Sequence, residues 1–148
     1  MSELFHIASA FRTAIEEAVR GGEIREMRSF PTGCCSFAAD LLQRYLFEEC
    51  DLFTWYMSGR YGYGWDGESH AWVETQEGTV IDITGDQYKN KKLKFTEPVY
   101  IGPRSDGFHN QFELDEPVAY SRDEDPFGRN RDFDRRYETV MRHMRQPK

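Results

Sequence analysis

The sequence predicts an α+β fold, with N-terminal helices packed on an antiparallel sheet and a C-terminal helix following it. Two observations predict it. Apolar residues recur at helical spacing near both ends of the chain, whereas from Leu52 the texture changes to short aromatic and β-branched segments separated by glycine or polar breaks. The length, 148 residues, together with 39% hydrophobic and 15% aromatic residues, fits one globular domain over 1–148. The order is helix, helix, sheet, helix.

From Ser2 to about Arg20, Leu4, Phe5, Ile7, Ala8, Phe11, Ile15 and Val19 recur every three or four positions, with Ser2 as N-cap and Gly21-Gly22 as the stop. Pro31-Thr32-Gly33 is a turn that introduces a second helix from about Cys35 to Phe47. There Ala38, Leu41, Leu42, Tyr45 and Leu46 form one stripe, while Asp40 and Arg44 can pair on the other side. The segments LFTWYM, HAWVET, TVIDIT and PVYIG read as strands of the sheet. A charged linker over about 121–131 leads to a C-terminal helix over about 132–145, with Phe133, Tyr137, Val140, Met141 and Met144 on one face.

Composition excludes several function classes. With 19 Lys plus Arg against 26 Asp plus Glu, the net charge of −7 leaves no strongly basic face for phosphates, so no nucleic-acid partner is expected. No apolar run approaches the about 20 residues that span a bilayer, and no basic start precedes an apolar stretch, so a cytoplasmic protein with no membrane partner is expected. Three cysteines, two of them adjacent at Cys34 and Cys35, argue against a disulfide framework. There is no C-x-x-C pair, and His6, His70, His109 and His143 are scattered, so no metal or other cofactor is expected.

Two pieces carry chemistry. In FPTGCCSFAADLLQRYL a cysteine pair stands at the start of a helix, where unpaired N–H groups and the positive end of the dipole favour the thiolate. In SHAWVETQEGTVIDIT the parity of a hairpin decides which side chains meet. A three-residue loop with Gly78 in the left-handed position pairs Thr75 with Thr79, Trp72 with Asp82 and His70 with Thr84. His70 and Asp82 then share a face as diagonal neighbours about 7 Å apart at the backbone. Ala71, Val73, Ile81 and Ile83 fall together on the other face, leaving a polar face for chemistry. Alone, a free cysteine is usually a buried filler and a His-Asp pair an ordinary surface feature. Together, a helix-start cysteine, a strand histidine and an aspartate on the paired strand have the order and geometry of a thiol triad.

These motifs resemble the transglutaminase-like branch of the papain-like cysteine enzymes. The similarity lies in the Gly-Cys helix start with small and apolar residues after it (GCCSFAADLL), the H-A-W-V-E strand from His70 to Glu74, and the aspartate with a threonine one residue on (IDIT), over about Phe30 to Thr84. The chain is also similar to small bacterial proteins with an F-P-x-G-x-C start and an I-D-I-T-x-D-Q segment, present here as FPTGCC and IDITGDQ. The resemblance implies a papain-like core and a catalytic triad of Cys35, His70 and Asp82. It also implies a peptide or protein substrate and amide chemistry: hydrolysis, glutamine deamidation or acyl transfer to an amine. Two departures are the double cysteine and an isoleucine where proline commonly follows the aspartate. The family spacing favours Cys35 as nucleophile, although Phe37-Ala38 aligns equally well with Cys34.

Around these pieces, SGRYGYGWDGES fits either a mobile substrate cover or a long hairpin connection whose aromatics cap the core. The backbone N–H of the nucleophile is the default oxyanion donor, with Gln87 a weaker side-chain candidate. Asp86 and Gln87 are otherwise expected to cap a turn. His109, in SDGFHNQF, could line the cleft, but a lone histidine is more often structural. His6 and His143 are expected to face solvent, and Cys50 has no companion. Two competing readings are a non-catalytic interaction module, using the aromatic loop and the C-terminal helix, and a metal site of Cys35, His70 and Asp82. The latter lacks closely spaced ligand pairs.

Overall fold

A computed structural model of the chain describes residues 3–62, 68–121 and 129–146. Its elements are α1 (Glu3–Arg20), α2 (Cys35–Cys50), β1 (Thr54–Tyr61), β2 (Glu68–Thr75), β3 (Thr79–Asp82), β4 (Tyr100–Pro103), β5 (Glu113–Leu114), β6 (Val118–Ala119) and α3 (Arg129–Arg145). The strands form one antiparallel sheet ordered β4-β3-β2-β1-β5, with β6 also paired to β1. The expected α+β order is present. Strands β5 and β6 were not expected, because two-residue segments carry no periodicity to read. No helix among the described residues is long and apolar enough to cross a membrane.

The helices follow their apolar stripes. Ala8, Phe11, Ala14, Ile15 and Ala18 of α1 are fully buried, as are Leu41, Leu42 and Leu46 of α2. Each large aliphatic side chain so removed from water contributes about 2 kcal/mol. The proposed N-cap Ser2 lies outside the described residues. Helix α2 continues past Phe47 to Cys50, where Asp51 takes the left-handed conformation and its N–H closes onto the Leu46 carbonyl. The anticipated Asp40–Arg44 pair is replaced by Arg44 bonds to Glu48 (3.3 Å) and to Asp134 of α3 (2.7 Å). Helix α3 starts at Arg129, earlier than expected. Most of the charged linker, 122–128, lies outside the described residues.

The sheet has two unlike faces. Ala71, Val73, Ile81 and Ile83 pack against all three helices in the main core, including Tyr137, Val140 and Met141 of α3. The apolar face of α3 is therefore covered within the chain and does not serve the interaction-module reading. The opposite face, expected to be polar, is closed by a second cluster of Met57, Trp72, Val80, Tyr88, Phe108 and Phe112. The closure comes from Tyr88 and the 108–112 segment, which lie beyond the hairpin in sequence.

Candidate active site

The hairpin register is the one that parity requires. Val73 pairs with Ile81 and Glu74 with Val80, which continues to Thr75 opposite Thr79 and Trp72 opposite Asp82. Gly78 takes φ +90°, a conformation a side chain would strain, and its N–H bonds the Thr75 carbonyl at 3.0 Å. His70 and Asp82 consequently meet: the His70 Nε2–H donates to Asp82 Oδ2 at 2.7 Å. Neither is the surface residue that an isolated pair suggests, since each is only 1% exposed.

The third group arrives from α2. Thr32 and Cys34 close tight turns onto Ser29 and Pro31, and Gly33 adopts φ +70°. The chain then enters the helix with Cys34 as N-cap residue and Cys35 as the first helical residue. The adjacent thiols separate completely in environment. Cys34 is 1% exposed in the main core, and burial pushes its thiol above the ordinary value. Cys35 is partly exposed and borders a cleft of about 430 Å³, which His70 and Gln87 also line.

Electrostatics distinguishes these groups further. Burial pushes the Cys35 thiol up, but hydrogen bonding and charge interaction with His70, followed by the Ala71 backbone N–H and Gln87, outweigh it and hold the thiol below its ordinary value. For His70, burial opposes the charged ring, yet Asp82 and then Cys35 lift it from 6.5 to about 9. Asp82 is held well below the carboxylate range: its burial is overcome by His70 and His109. Both directions favour a thiolate beside an imidazolium, with the dipole of α2 acting in the same sense.

Gln87 is placed by contacts that the sequence does not announce. Its Oε1 accepts the Gly33 N–H at 3.2 Å, and its Nε2 lies 3.2 Å from His70 Nδ1. Asp86, expected as a turn cap, instead receives both terminal nitrogens of Arg12 at 2.7 and 2.9 Å. Arg12, 7% exposed, also bonds the carbonyls of Ile83 and Pro98, so α1 anchors the turn that carries Gln87. Composition marks Arg12 only as one more helix charge.

His109 does not line the cleft. It is fully buried behind Asp82, where its Nε2 lies 2.6 Å from the same Oδ2 that His70 approaches. Its Nδ1 lies 2.5 Å from Asp106 Oδ2. The remaining Asp82 oxygen accepts the Thr84 N–H at 2.9 Å, so this buried carboxylate has three donors. The D-G-F-H run is the available sequence signal, since Asp before Gly favours a turn that bonds its own backbone. Asp106 Oδ1 indeed accepts the N–H groups of Phe108 and His109 at 2.9 and 2.8 Å.

His70, Asp82 and His109 are also metal-ligand types, with donor atoms within 4.8 Å of one another. Zinc ligands about 2.0–2.2 Å from the ion stand roughly 3 Å or more apart in a tetrahedron. Here both ring nitrogens lie at 2.6–2.7 Å from one oxygen, which is hydrogen-bond geometry. Of the other histidines, His6 is exposed as expected, whereas His143 is mostly covered and bridges α3 to Glu17 of α1 and to Glu23 just after it. Of the aromatic loop, Ser58 to Tyr61 and Glu68 to Ser69 belong to strands β1 and β2, and Tyr63 and Trp65 lie outside the described residues. No family model, no curated protein and no solved structure matches the chain.

Proposed function

We propose that the protein is a cysteine-dependent enzyme acting on amide bonds of a peptide or protein, with Cys35 as nucleophile, His70 as general acid and base, and Asp82 as the group that orients His70. The observation that carries this reading is that Cys35 and His70 border one open cleft while the Asp82 carboxylate is buried against the far nitrogen of the ring. Cys34 is sealed in the core and has no such access.

The Cys35 thiolate attacks the substrate carbonyl carbon, and the C–O π electrons move to oxygen. The helix-start backbone N–H of Cys35 and the Gln87 amide are the donors suited to that oxygen. Collapse of the tetrahedral intermediate breaks the C–N bond, and the imidazolium Nδ1–H of His70 protonates the departing amine, leaving a thioester on Cys35. His70, now neutral, removes a proton from the incoming water or amine, whose attack releases the thiolate and returns His70 to its charged form. Asp82 keeps Nε2–H engaged throughout, which leaves Nδ1 as the nitrogen that exchanges protons in the cycle. The same cycle serves hydrolysis, deamidation and acyl transfer, which differ only in the leaving and entering groups. The resemblance to transglutaminase-like and papain-like enzymes supports the same chemistry.

Iodoacetamide at mildly acidic pH is expected to label one thiol per chain, located at Cys35 by peptide mapping and lost in Cys35→Ser. In His70→Ala, labelling is expected only near the ordinary thiol value of 9.0. Equal labelling of the wild type and His70→Ala across pH would refute the reading.

A further inference from the structure

Behind the reacting groups lies a second His-Asp pair that the proposed cycle does not use. Asp106, His109, Asp82 and His70 form a continuous chain in which acidic and basic groups alternate, and His70 shares the cleft with Cys35. Its successive contacts are 2.5 Å (Asp106 to His109), 2.6 Å (His109 to Asp82) and 2.7 Å (Asp82 to His70). We propose that His109, fixed by Asp106, is a positioning residue that shares the Asp82 carboxylate with His70 and thereby limits how strongly His70 holds its proton. This rests on the assignment of Cys35, His70 and Asp82 as the reacting and orienting groups.

Both ring nitrogens of His109 face carboxylate oxygens, Nδ1 that of Asp106 and Nε2 that of Asp82. The His109 Nε2–H draws on the Asp82 Oδ2 that would otherwise serve His70 alone, and an oxygen shared between two donors holds the His70 cation less strongly. His109 has no access to the cleft, so it acts only through Asp82.

Among the described residues, no competing strong charge faces this chain of groups. The titratable groups facing His70 are Cys35 from α2, Asp82 from β3, Tyr88 from the turn after β3, and His109. Those facing His109 are Asp82, Asp106, His70 and the stacked ring of Tyr100 from β4 at 5.3 Å. Trp72, Phe95, Phe108 and Phe112 fill the remaining space. Such a low-dielectric shell leaves the charges of Asp82 and His70 poorly screened.

His109→Phe tests this by removing the second donor to Asp82 Oδ2 while keeping a ring of similar size. The readout is the rate of Cys35 alkylation by iodoacetamide against pH, whose upper inflection reports loss of the His70 proton. With Oδ2 left to His70 alone, that inflection should move to higher pH by about half a unit, the worth of one modest hydrogen bond. In Asp106→Asn, Oδ1 is held by the backbone N–H groups of Phe108 and His109, so the amide nitrogen donates to His109 Nδ1 and the Nε2–H bond to Asp82 is kept. That variant should move the inflection less than His109→Phe does, with folding checked by circular dichroism for both variants. A lower melting temperature with an unmoved or downshifted inflection would overturn the proposal and leave a structural role only. His70→Ala separates the two levels: it should replace both inflections by the single one of an ordinary thiol, and if it leaves the profile intact, the assignment of the reacting groups fails first.

Discussion

The helix-covered face of the sheet and its opposite face are both dry, yet they are assembled from different materials. The first carries Ala71, Val73, Ile81 and Ile83 against the aliphatic stripes of the helices, together with the Cys34 thiol, which burial pushes above its ordinary value. The second carries His70 and Asp82 beside Trp72, enclosed by Tyr88, Phe108 and Phe112 from outside the hairpin. Aliphatic packing holds the fold by area removed from water, whereas the aromatic shell excludes water from charges that would be weak if wet. Substitutions on the two faces should therefore fail in different ways.

The largest expected effect is on the charged face. In Asp82→Asn the oxygen at Oδ1 is retained by the Thr84 N–H, so the amide nitrogen would confront the Nε2–H of His70 and force the wrong tautomer. Amide turnover should fall by about 10³–10⁴-fold with substrate binding little changed, as steady-state kinetics would register. Arg12→Ala comes next: it leaves Asp86 without its bidentate partner and frees the turn that holds Gln87, costing about 3–5 kcal/mol in denaturant unfolding. Leu42→Ala on the helix-covered face should cost about 3 kcal/mol through its cavity, while the alkylation profile of the folded protein stays as in the wild type. A shifted profile in that variant would break the distinction between the faces.

The pH dependence of stability sharpens the same contrast. Because the folded protein lifts His70 from 6.5 to about 9, its contribution is complete below pH 6.5 and is lost as pH rises toward 9. Asp82, shifted downward, contributes above its ordinary value of 3.8 and is lost only as acid protonates it. The unfolding free energy of the wild type relative to His70→Ala should fall by on the order of 3 kcal/mol between those limits on the alkaline side. Gly78→Ala, at a positive φ remote from both faces, should cost about 1 kcal/mol and nothing in reactivity.

What could be read from the sequence was whatever local pattern determines. Helical spacing located α1 and α2, and strand parity placed His70 beside Asp82, because a slip of one residue would have turned Asp82 to the other face. The same parity misjudged the environment: a face that is polar along one hairpin became buried once Tyr88, Phe108 and Phe112 folded over it. Arg12 and His109 were illegible for a related reason, since their partners Asp86 and Asp82 are joined to them only by tertiary packing. Gln87 was visible as a polar side chain after the strand but owes its place to Gly33, far back in the chain.

The central claim, a sulfur and an imidazole poised as an ion pair, is tested most directly by the ultraviolet absorbance of the thiolate, taken as the difference between wild type and Cys35→Ser across pH. The absorbance should already be developed at neutral pH, below the ordinary thiol value of 9.0, and should retreat to that value in His70→Ala. A wild-type titration centred at or above 9.0 and indifferent to His70 would contradict the account.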